Sequence, residues 1–534
     1  MINNNPSIEL ESLQTLDNTQ PNNITRELIN SNPRILNTLI KEFITSDNYA
    51  EMQVVDKYYE SKNINILDRS KQMMLFDEKE NVIDGKIVKE SIPYIKPDLS
   101  KANHKLAHGY LYELIMQATN YIVGNQVKTE YDKKIPKKVT SIIDDILYKN
   151  NHWGKFNQEN VKNAQKYKSG WSRLVINDDN ELKLLNVNSK QVIPFYDDYD
   201  TLTCVIYLYT KNTFDEKGKK KEVKYAEVYD DTYKDIYKCD KGYSYSLEQS
   251  KVPLLRKITA YGEIEVEEKL SWGKVPWVEW KYSNDNIDAL QPIRCFIDIL
   301  DIDISDLANN VDDIQDAIWI LENYQGQSIK QFMEDLKVKK AINLGENGKA
   351  DTKTIEIPTE AREKLYEICE KKIYKFGRGI DFSDRDNLGN ASGVALKWSF
   401  GPLDEKADEI EENGQVALDY LFNLIFVYLK VTGKYSQEYD SNDIKFIFDR
   451  NMIVNEIEQV NMVMNSTDLI SRKTALSHHP FVEDAEEEMK EIDADEREID
   501  EDVIDSETET DESEEETTRR DNRNKDSKKD SISI

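Results

Sequence analysis

A stripe of apolar residues that repeats in steps of four and three constrains the fold of this chain more than any other feature. It begins after Pro292 and continues without a break over about four heptads. Its members are Ile293, Ile297, Leu300, Ile304, Leu307, Val311, Ile314, Ile318 and Leu321. A helix that carries the whole stripe would be about 43 Å long, at about 1.5 Å per residue. The sequence therefore predicts one long helix whose apolar side packs along a neighbouring helix.

A row of aspartates falls on the other side of this predicted helix. The row consists of Asp298, Asp306, Asp313 and Asp316. An ordinary coiled-coil helix with a solvated face explains the same pattern. The cluster Asp298, Asp301 and Asp303 also has the composition of a two-metal nuclease or sugar-nucleotide site. On one helix, however, these carboxylates diverge around the cylinder, whereas a metal needs convergent ligands. We therefore expect no metal and no cofactor.

The chain after the stripe predicts a return helix, so that two long helices form a hairpin. A polar, glycine-containing segment follows Leu321 and includes a predicted short helix, Ser328–Leu336. The second long helix is predicted at Thr359–Phe376, with Thr359 as its N-cap. One side of this helix carries Ala361, Leu365, Ile368 and Lys372. Two helices joined by a compact insertion form an arm and not a globular core.

A loop and a third long helix follow the hairpin. Residues 377–392, GRGIDFSDRDNLGNAS, are rich in Gly, Asp, Asn and Ser, and they predict a mobile loop. A helix from Gly393 to about Lys430 then contains Gly401-Pro402. Proline lacks the backbone N–H and clashes with the preceding turn, so we expect a kink at this point.

The remainder of the chain predicts an α+β protein that is mainly helical. Two helices are plausible between Ile24 and Glu60, and another at His104–Tyr121. Between Gly170 and Trp280, short β-prone runs separated by turn residues predict an antiparallel sheet. A strand is expected at Ile444–Asn451, followed by a helix near Asn455–Asn465. Residues 1–23 and the charged C-terminal tail are expected to be disordered.

Charge and motif content exclude several function classes. The formal net charge is −31, and residues 481–517 carry 21 acidic residues against Lys490 and Arg497. The rest of the chain is also acidic, which disfavours a tight sequence-reading DNA binder. The four cysteines are scattered and contain no CxxC pair, and only five histidines are present. No GxxxxGK[ST], HExxH or GxSxG motif occurs, so we expect no ATPase motor and no enzyme. No run of 18 uninterrupted apolar residues occurs, and no membrane span is expected.

Several stretches, in the same order along the chain, resemble the portal proteins of siphovirus-type phages, of the kind typical of phages that infect low-GC Gram-positive hosts. The strongest is WGKVPWVEWKYSNDNIDALQPIRCFIDILDIDISDLANNVDDIQDAIWILENYQG, at Trp272–Gly326. The second is the pair FGRGIDFSDRDNLGNASGVALKW and PLDEKADEIEENGQVAL. The third is FDRNMIVNEIE followed by ISRKTALSHHPFVEDAEEEMKEI.

The resemblance implies a portal fold with an α/β wing, a two-helix stem, a small α/β clip, a long kinked helix and a helical crown. The implied boundaries are wing 24–287, stem helix 288–321, clip 322–358, second stem helix 359–376, tunnel loop 377–392, kinked wing helix 393–440, crown 441–492 and charged tail 493–534. The stripe residues would pack subunits together in the stem, with the kink at Gly401 and Pro402. The candidates for contact with the channel are Asp298, Asp306, Asp313, Asp316, Lys375, Arg378, Asp384, Arg385, Asn387 and Asn390.

The implied function is that of a ring at one vertex of a phage head, through which double-stranded DNA is packaged and ejected. The implied partners are sister subunits in a ring of about twelve, the terminase large subunit, the head-tail adaptor, the scaffold and the major capsid protein, with no membrane. Such a protein is found in the virion, after assembly in the host cytoplasm. The alternative is a self-assembling coiled-coil structural or scaffold protein through which no DNA passes.

Overall fold

A computed structural model describes most of the chain. The described residues are 24–69, 72–83, 86–97, 102–214, 218–261, 264–313, 318–322, 348–353, 358–382, 393–450, 456–482 and 484–494. The chain divides into two compact units, one of residues 1–385 with 399–451 and one of residues 386–398 with 452–534. Several predictions fall on residues outside this range: the disordered N-terminus, the short helix Ser328–Leu336 and the tail beyond residue 494. The α+β class with a helical majority is confirmed.

Four short helices open the first unit, and three of them lie between Ile24 and Glu60, where the sequence predicts two. They are α1 (Arg26–Ser31), α2 (Pro33–Thr45), α3 (Asp47–Tyr59) and α4 (Ile64–Leu67). Polar caps separate them, because Thr25, Asn32 and Ser46 each accept a hydrogen bond from a backbone N–H in the following first turn. Proline at the first position of α2 lacks an N–H that would have no helical partner there.

Antiparallel strands fill the middle of the first unit, which confirms the predicted sheet. The strands are β1 (Gln72–Ile83), β2 (Lys86–Pro97), β3 (Lys128–Tyr131), β4 (Ser169–Ile176), β5 (Leu182–Val187), β6 (Val192–Tyr196), β7 (Leu202–Phe214), β8 (Lys220–Tyr229), β9 (Tyr233–Lys241), β10 (Ser244–Pro253), β11 (Leu255–Tyr261), β12 (Ile264–Leu270) and β13 (Trp277–Lys281). Five of them form a sheet in the order β10-β9-β8-β7-β6, and three form a second in the order β13-β4-β5. Ile29 and Ile40 of the N-terminal helices pack on the five-stranded sheet beside Ile206.

The helices of the first unit that follow carry most of the interior. They are α5 (Tyr110–Val123), α6 (Lys137–Asp144), α7 (Trp153–Tyr167), α8 (Arg294–Asp313), α9 (Thr359–Phe376) and α10 (Gly393–Val431). The helix predicted at His104–Tyr121 begins only at Tyr110, and the eight residues before it have no regular secondary structure. That prediction was wrong at its N-terminal end, because this segment bonds to α8 instead, as shown below.

Helix α8 is shorter than the apolar stripe predicts. It ends at Asp313, whereas Ile318 and Leu321 lie in strand β14 (Ile318–Glu322), which pairs antiparallel with β15 (Lys349–Lys353). Ile314 and Asp316 lie outside the described residues. The prediction of a continuous helix to Leu321 was therefore wrong. A short apolar run such as IWIL fits either period, and its β-branched and aromatic residues favour a paired strand.

Helix α10 continues through Pro402 without interruption. The stretch Trp398–Val431 is long and apolar enough to cross a membrane by length and composition alone. More than half of it is buried, and Phe422 of this helix lies between Trp153 and Phe446. Its apolar side chains are those of a core helix, because they are already covered by the protein.

The predicted strand near residue 444 is present as β16 (Ile444–Ile447), which pairs with β3. In the second unit, α11 (Glu456–Ser466) and α12 (Arg472–Ser477) follow, and residues 485–494 are helical. Ser471 caps α12 by accepting from the Thr474 N–H. Lys473 Nζ lies 2.5 Å from Glu486 Oε1, which joins α12 to the last described helix.

The two-helix arm as the candidate functional site

Helices α8 and α9 pack against each other in antiparallel orientation and are together called the arm. Near one end, the rings of Phe296 and Phe376 stack with centroids 5.6 Å apart. Further along, Arg362 Nη1 donates to Asp303 Oδ1 at 3.0 Å. Helix α9 has the bounds that the sequence predicts, although the residue in the N-cap position is Pro358 and no side chain caps the helix.

The first half of the apolar stripe is buried within the subunit. Ile293, Ile297 and Leu300 are at most 1% exposed. They pack in one cluster with Val55 and Tyr58 of α3, Leu111 and Leu114 of α5, and Cys369 and Ile373 of α9. The prediction that these three residues join sister subunits was wrong, because no surface of theirs is left for a second chain. Heptad spacing identifies a side that must be covered but does not say what covers it.

Val311 of the stripe and one side of α9 remain uncovered. Ile304 and Leu307 are partly buried, whereas Val311 is 58% exposed. On α9, the predicted apolar side with Ala361, Leu365 and Ile368 faces solvent, with Leu365 38% and Ile368 46% exposed. An exposed patch of large apolar side chains is typical of an interaction site.

Two aspartates assigned to the channel wall are held by donors of the same chain. Asp298 accepts from Tyr58 Oη, and from Asn63 Nδ2 at 3.0 Å and Asn65 Nδ2 at 3.1 Å. Burial and this bond to Asp298 raise the pKa of Tyr58 to about 12. Asp306 Oδ2 forms an ion pair with Arg69 Nη2 at 2.9 Å. Both carboxylates therefore attach the segment that follows α3 to the arm.

An extended segment runs along α8 and bonds to it at regular intervals. The backbone N–H groups of His104, Leu106 and His108 donate to Asn309 Oδ1 at 2.6 Å, Ser305 Oγ at 3.0 Å and Asp301 Oδ1 at 3.0 Å. Two extended residues advance about 6.7 Å and four helical residues about 6 Å, so alternate amides meet every fourth side chain. We call this arrangement the 104–108 ladder. It explains why these residues do not extend α5.

Asp301 is the buried anchor of the 104–108 ladder. Its side chain is fully buried, and it accepts from His108 Nδ1 at 2.7 Å and from Asn63 Nδ2 at 2.9 Å. At the other end, His104 Nε2 meets Asp312 Oδ2 at 2.5 Å, where both side chains are about half exposed. Among the described residues, no group of three or more His, Cys, Asp or Glu side chains is placed to hold a metal ion. Protein donors occupy the carboxylates that resemble a metal cluster in sequence.

The beginning of the predicted tunnel loop is firmly attached to the subunit. A Cβ atom at Gly379 would lie 2.2 Å from Leu114 Cδ2 and 2.9 Å from Gln117 Oε1, so a larger residue would displace both side chains. Ile380 exchanges two hydrogen bonds with the Gln117 side chain, at 2.7 and 2.9 Å. Arg378 lies between the glycines with a φ of 51° and pairs with Glu409 at 3.4 Å. The Gly-Arg-Gly sequence therefore fixes the exit of α9 against α5 and α10.

A buried lysine lies at the same junction. Lys406 of α10 is 2% exposed and donates to the Gly377 carbonyl at 3.3 Å, with its amine 5.8 Å from the centre of the Tyr282 ring. No described carboxylate forms an ion pair with it. Burial, together with the nearby Arg378 charge, lowers the pKa of Lys406 to about 7. No pattern in the sequence indicated that Lys406 is buried, because a lysine in a helix is usually exposed to solvent.

The remaining candidates are placed as follows. Lys375 is exposed on the last turn of α9. Gly401 and Pro402 lie inside α10. Asp313 ends α8. Asp384, Arg385, Asn387 and Asn390 lie outside the described residues. Their contact with a channel stays a prediction.

Sequence comparison identifies the family of a chain with this arm. A family model described as phage portal protein, SPP1 Gp6-like, matches residues 41–502. The chain belongs to this portal family. This match confirms the resemblance predicted from the sequence motifs. The strongest of those motifs, Trp272–Gly326, includes helix α8 of the arm.

Two portal proteins are similar over most of their length. The portal protein of Clostridium phage phiCD119 is 29% identical over 411 residues, covering 73% of this chain and 85% of the relative. The portal protein of Bacillus phage SPP1 is 26% identical over 411 residues, covering 74% and 77%. Among solved structures, the neck of an empty GTA particle computed with C6 symmetry has a TM-score of 0.41 at 9% identity, covering 70% of this chain and 90% of that chain. A likeness at that level carries no argument here.

The sequence-based reading missed the donors that occupy the arm. Asn63, Arg69 and the 104–108 ladder take up the polar side of α8. One signal was available: Asp301, Ser305 and Asn309 recur every four residues, and all three are buried. Short polar side chains at that spacing suit a hydrogen-bonded neighbour better than a solvated face.

Proposed function

We propose that this chain is one subunit of a closed ring of about twelve copies at a single vertex of a phage head. The ring is the channel through which double-stranded DNA is packaged and later ejected. The match of the portal family over residues 41–502 carries this proposal. The arm supports it, because two antiparallel helices rooted in the subunit interior provide a rigid wall element.

The interface between sister subunits includes the uncovered apolar side of the arm, and not the buried half of the stripe. Leu365 and Ile368 lie on one side of α9, and Val311 lies near the end of α8. These side chains are 38–58% exposed, so covering them completely contributes about 1 kcal/mol each, roughly half of what a fully exposed side chain gains. Repeated around a ring, contacts of this size hold many copies together without any change inside the subunit.

The channel works by repulsion and transient contact, without a chemical reaction in this chain. Duplex DNA carries one negative charge per about 1.7 Å, and salt screens interactions beyond about 8 Å. Aspartates on the wall, such as Asp313 and Asp316, keep DNA off the surface without blocking its passage. The tunnel loop supplies brief phosphate contacts through Arg378 and Arg385. A separate terminase provides the energy and docks at the clip (residues 322–358), which later receives the head-tail adaptor, while scaffold and major capsid protein contact the wing.

Negative-stain imaging of the purified chain tests this proposal. We expect annuli with a central hole wide enough for duplex DNA, whereas a coiled-coil scaffold protein gives filaments or open polymers. The double variant Leu365→Asp/Ile368→Asp should remain folded by circular dichroism and lose the annuli. The matched control Lys364→Asp/Lys371→Asp changes two exposed neighbours on α9 and should keep them. A chain that stays monomeric in solution and also inside procapsids rules out the ring.

The tunnel loop has its own test. Removal of residues 383–392, with a short glycine linker in their place, should leave annuli intact and abort DNA packaging. Normal packaging by this variant would show that the loop has no role in DNA passage.

A further inference from the structure

Strands β7 and β8 extend beyond their sheet as a two-stranded ribbon. Strand β6 pairs with β7 only as far as Tyr207, and β9 pairs with β8 only from Tyr225 onward. Beyond these points β7 and β8 pair only with each other among the described residues, and the register ends with Phe214 opposite Lys220. The ribbon therefore extends beyond the wing sheet, and its described residues from 210 to 214 and 218 to 224 are exposed except Val223.

The end of this ribbon carries a cluster of lysines. Lys211, Lys220, Lys221 and Lys224 are all exposed, and we call them the lysine tip. Residues 211–224 contain six lysines and three acidic residues, whereas the whole chain has a net charge of −31. Phe214, 75% exposed, lies among them. A positive local charge is thus concentrated at one projecting point of an acidic protein.

The lysine tip lacks the neutralising partners found elsewhere in the same sheet. Lys234 pairs with Glu227 at 3.0 Å and Lys238 with Glu248 at 3.9 Å. None of the four tip lysines forms an ion pair with a described carboxylate. Lys211 Nζ instead lies beside the stacked rings of Tyr209 and Tyr225, 5.4 and 5.1 Å from their centres. Such contact orients the amine and leaves its charge available.

The chemistry of the cluster favours phosphates over carboxylates as its target. The four cations of the lysine tip are all lysines, and a lysine amine is a point charge on a flexible stem without the planar fork with which arginine grips a carboxylate. A backbone of evenly charged phosphates needs only several such point charges and no fixed geometry. We propose that the lysine tip is a sequence-independent binding surface for duplex DNA on the wing, separate from the channel. This rests on the proposed portal function, which is what brings duplex DNA to the protein.

Binding of a covalently closed circular duplex to the full chain tests the proposal, because a closed circle cannot thread a preformed ring. The triple variant Lys220→Gln/Lys221→Gln/Lys224→Gln is compared with Lys133→Gln/Lys137→Gln/Lys138→Gln, which makes the same charge change at exposed lysines elsewhere. Affinity is measured at several salt concentrations. We expect the tip variant to lose about tenfold in affinity near 0.1 M salt and to lower the slope of log affinity against log salt by about 2–3. The control should change neither quantity by more than about twofold.

The other outcomes separate this proposal from the portal function. Equal affinity and equal salt slope in both variants overturn the lysine tip as a DNA site. So does a tip variant that keeps its affinity for DNA and loses affinity for poly-glutamate, since the target is then an acidic protein. Annulus formation is read in parallel by negative stain. If the unmodified chain forms no annuli, the portal function is contradicted. The difference in DNA affinity between the two variants tests only the lysine tip.

Discussion

The two ends of the arm differ in what covers their apolar residues. At the base, Ile297 and Leu300 are enclosed by helices of the same subunit, and the polar side of α8 is bonded through the 104–108 ladder. Further out on α8, Val311 is exposed, and so are Leu365 and Ile368 on the solvent-facing side of α9. The same heptad pattern therefore has two outcomes: the base fastens the arm to its own subunit, and the outer part is exposed where we propose contact with other chains.

Truncation at the base should have the largest effect. Leu300→Ala removes a side chain that is 1% exposed, and we expect a loss of about 3–4 kcal/mol in the free energy of unfolding. Thermal unfolding followed by circular dichroism gives the shift. If Leu300→Ala left the midpoint unchanged but dissolved the annuli, the stripe would be an interface even at the base.

Removal of the buried amine at the base should stabilise the protein in a pH-dependent way. The pKa of Lys406 is about 7 in the folded chain and 10.5 in a solvated one. Between these values the unfolded chain binds more protons, so stability rises with pH across this window. The cost of burying Lys406 is complete below about pH 7 and disappears above about pH 10.5.

Lys406→Met should therefore raise the unfolding free energy by on the order of 3 kcal/mol at pH 7, and by less at pH 9. Urea unfolding at both pH values measures the difference. Lys375→Met, an exposed lysine at the end of α9, is the control and should shift stability by no more than about 0.5 kcal/mol at either pH. A gain that is the same at pH 7 and 9 would contradict a neutral buried amine.

The two histidine–aspartate contacts of the 104–108 ladder form a matched pair of different burial. Asp301→Ala leaves the backbone N–H and Nδ1 of His108 without their acceptor in a buried position, while Asn63 keeps only Asp298, and we expect a loss of about 2 kcal/mol. Asp312→Ala breaks the contact with His104 where both side chains are about half exposed, and the loss should be under about 0.5 kcal/mol. Equal losses in thermal unfolding would show that the ladder is not anchored at its base.

Truncation in the outer part should have the smallest effect on the single subunit. Val311→Ala changes a side chain that is 58% exposed, so the unfolding free energy of the subunit should move by less than about 0.5 kcal/mol. The fraction of annuli at low protein concentration, measured by light scattering, should nevertheless fall. No change in assembly would place Val311 outside the subunit interface.

Local sequence patterns determined the elements of this protein with good accuracy. The bounds of α9 at Thr359–Phe376 follow from its apolar spacing, because an amphipathic helix is visible in its own residues. The antiparallel sheet and the long helix α10 follow in the same way from β-prone runs and apolar content. The family, too, was visible in motifs such as those of Trp272–Gly326, since motif order survives where overall identity is low.

Only the tertiary structure decided which partner each surface meets. Spacing placed Ile297 and Val311 on one stripe, yet one is enclosed and the other exposed, because the helices that cover the base come from distant parts of the chain. The same reason applies to Asp301, whose acceptor role depends on amides about 190 residues away in sequence, and to Lys406, whose solvation is removed by the turn at Gly377. The sequence specifies which surfaces must be satisfied, and long-range packing specifies by what.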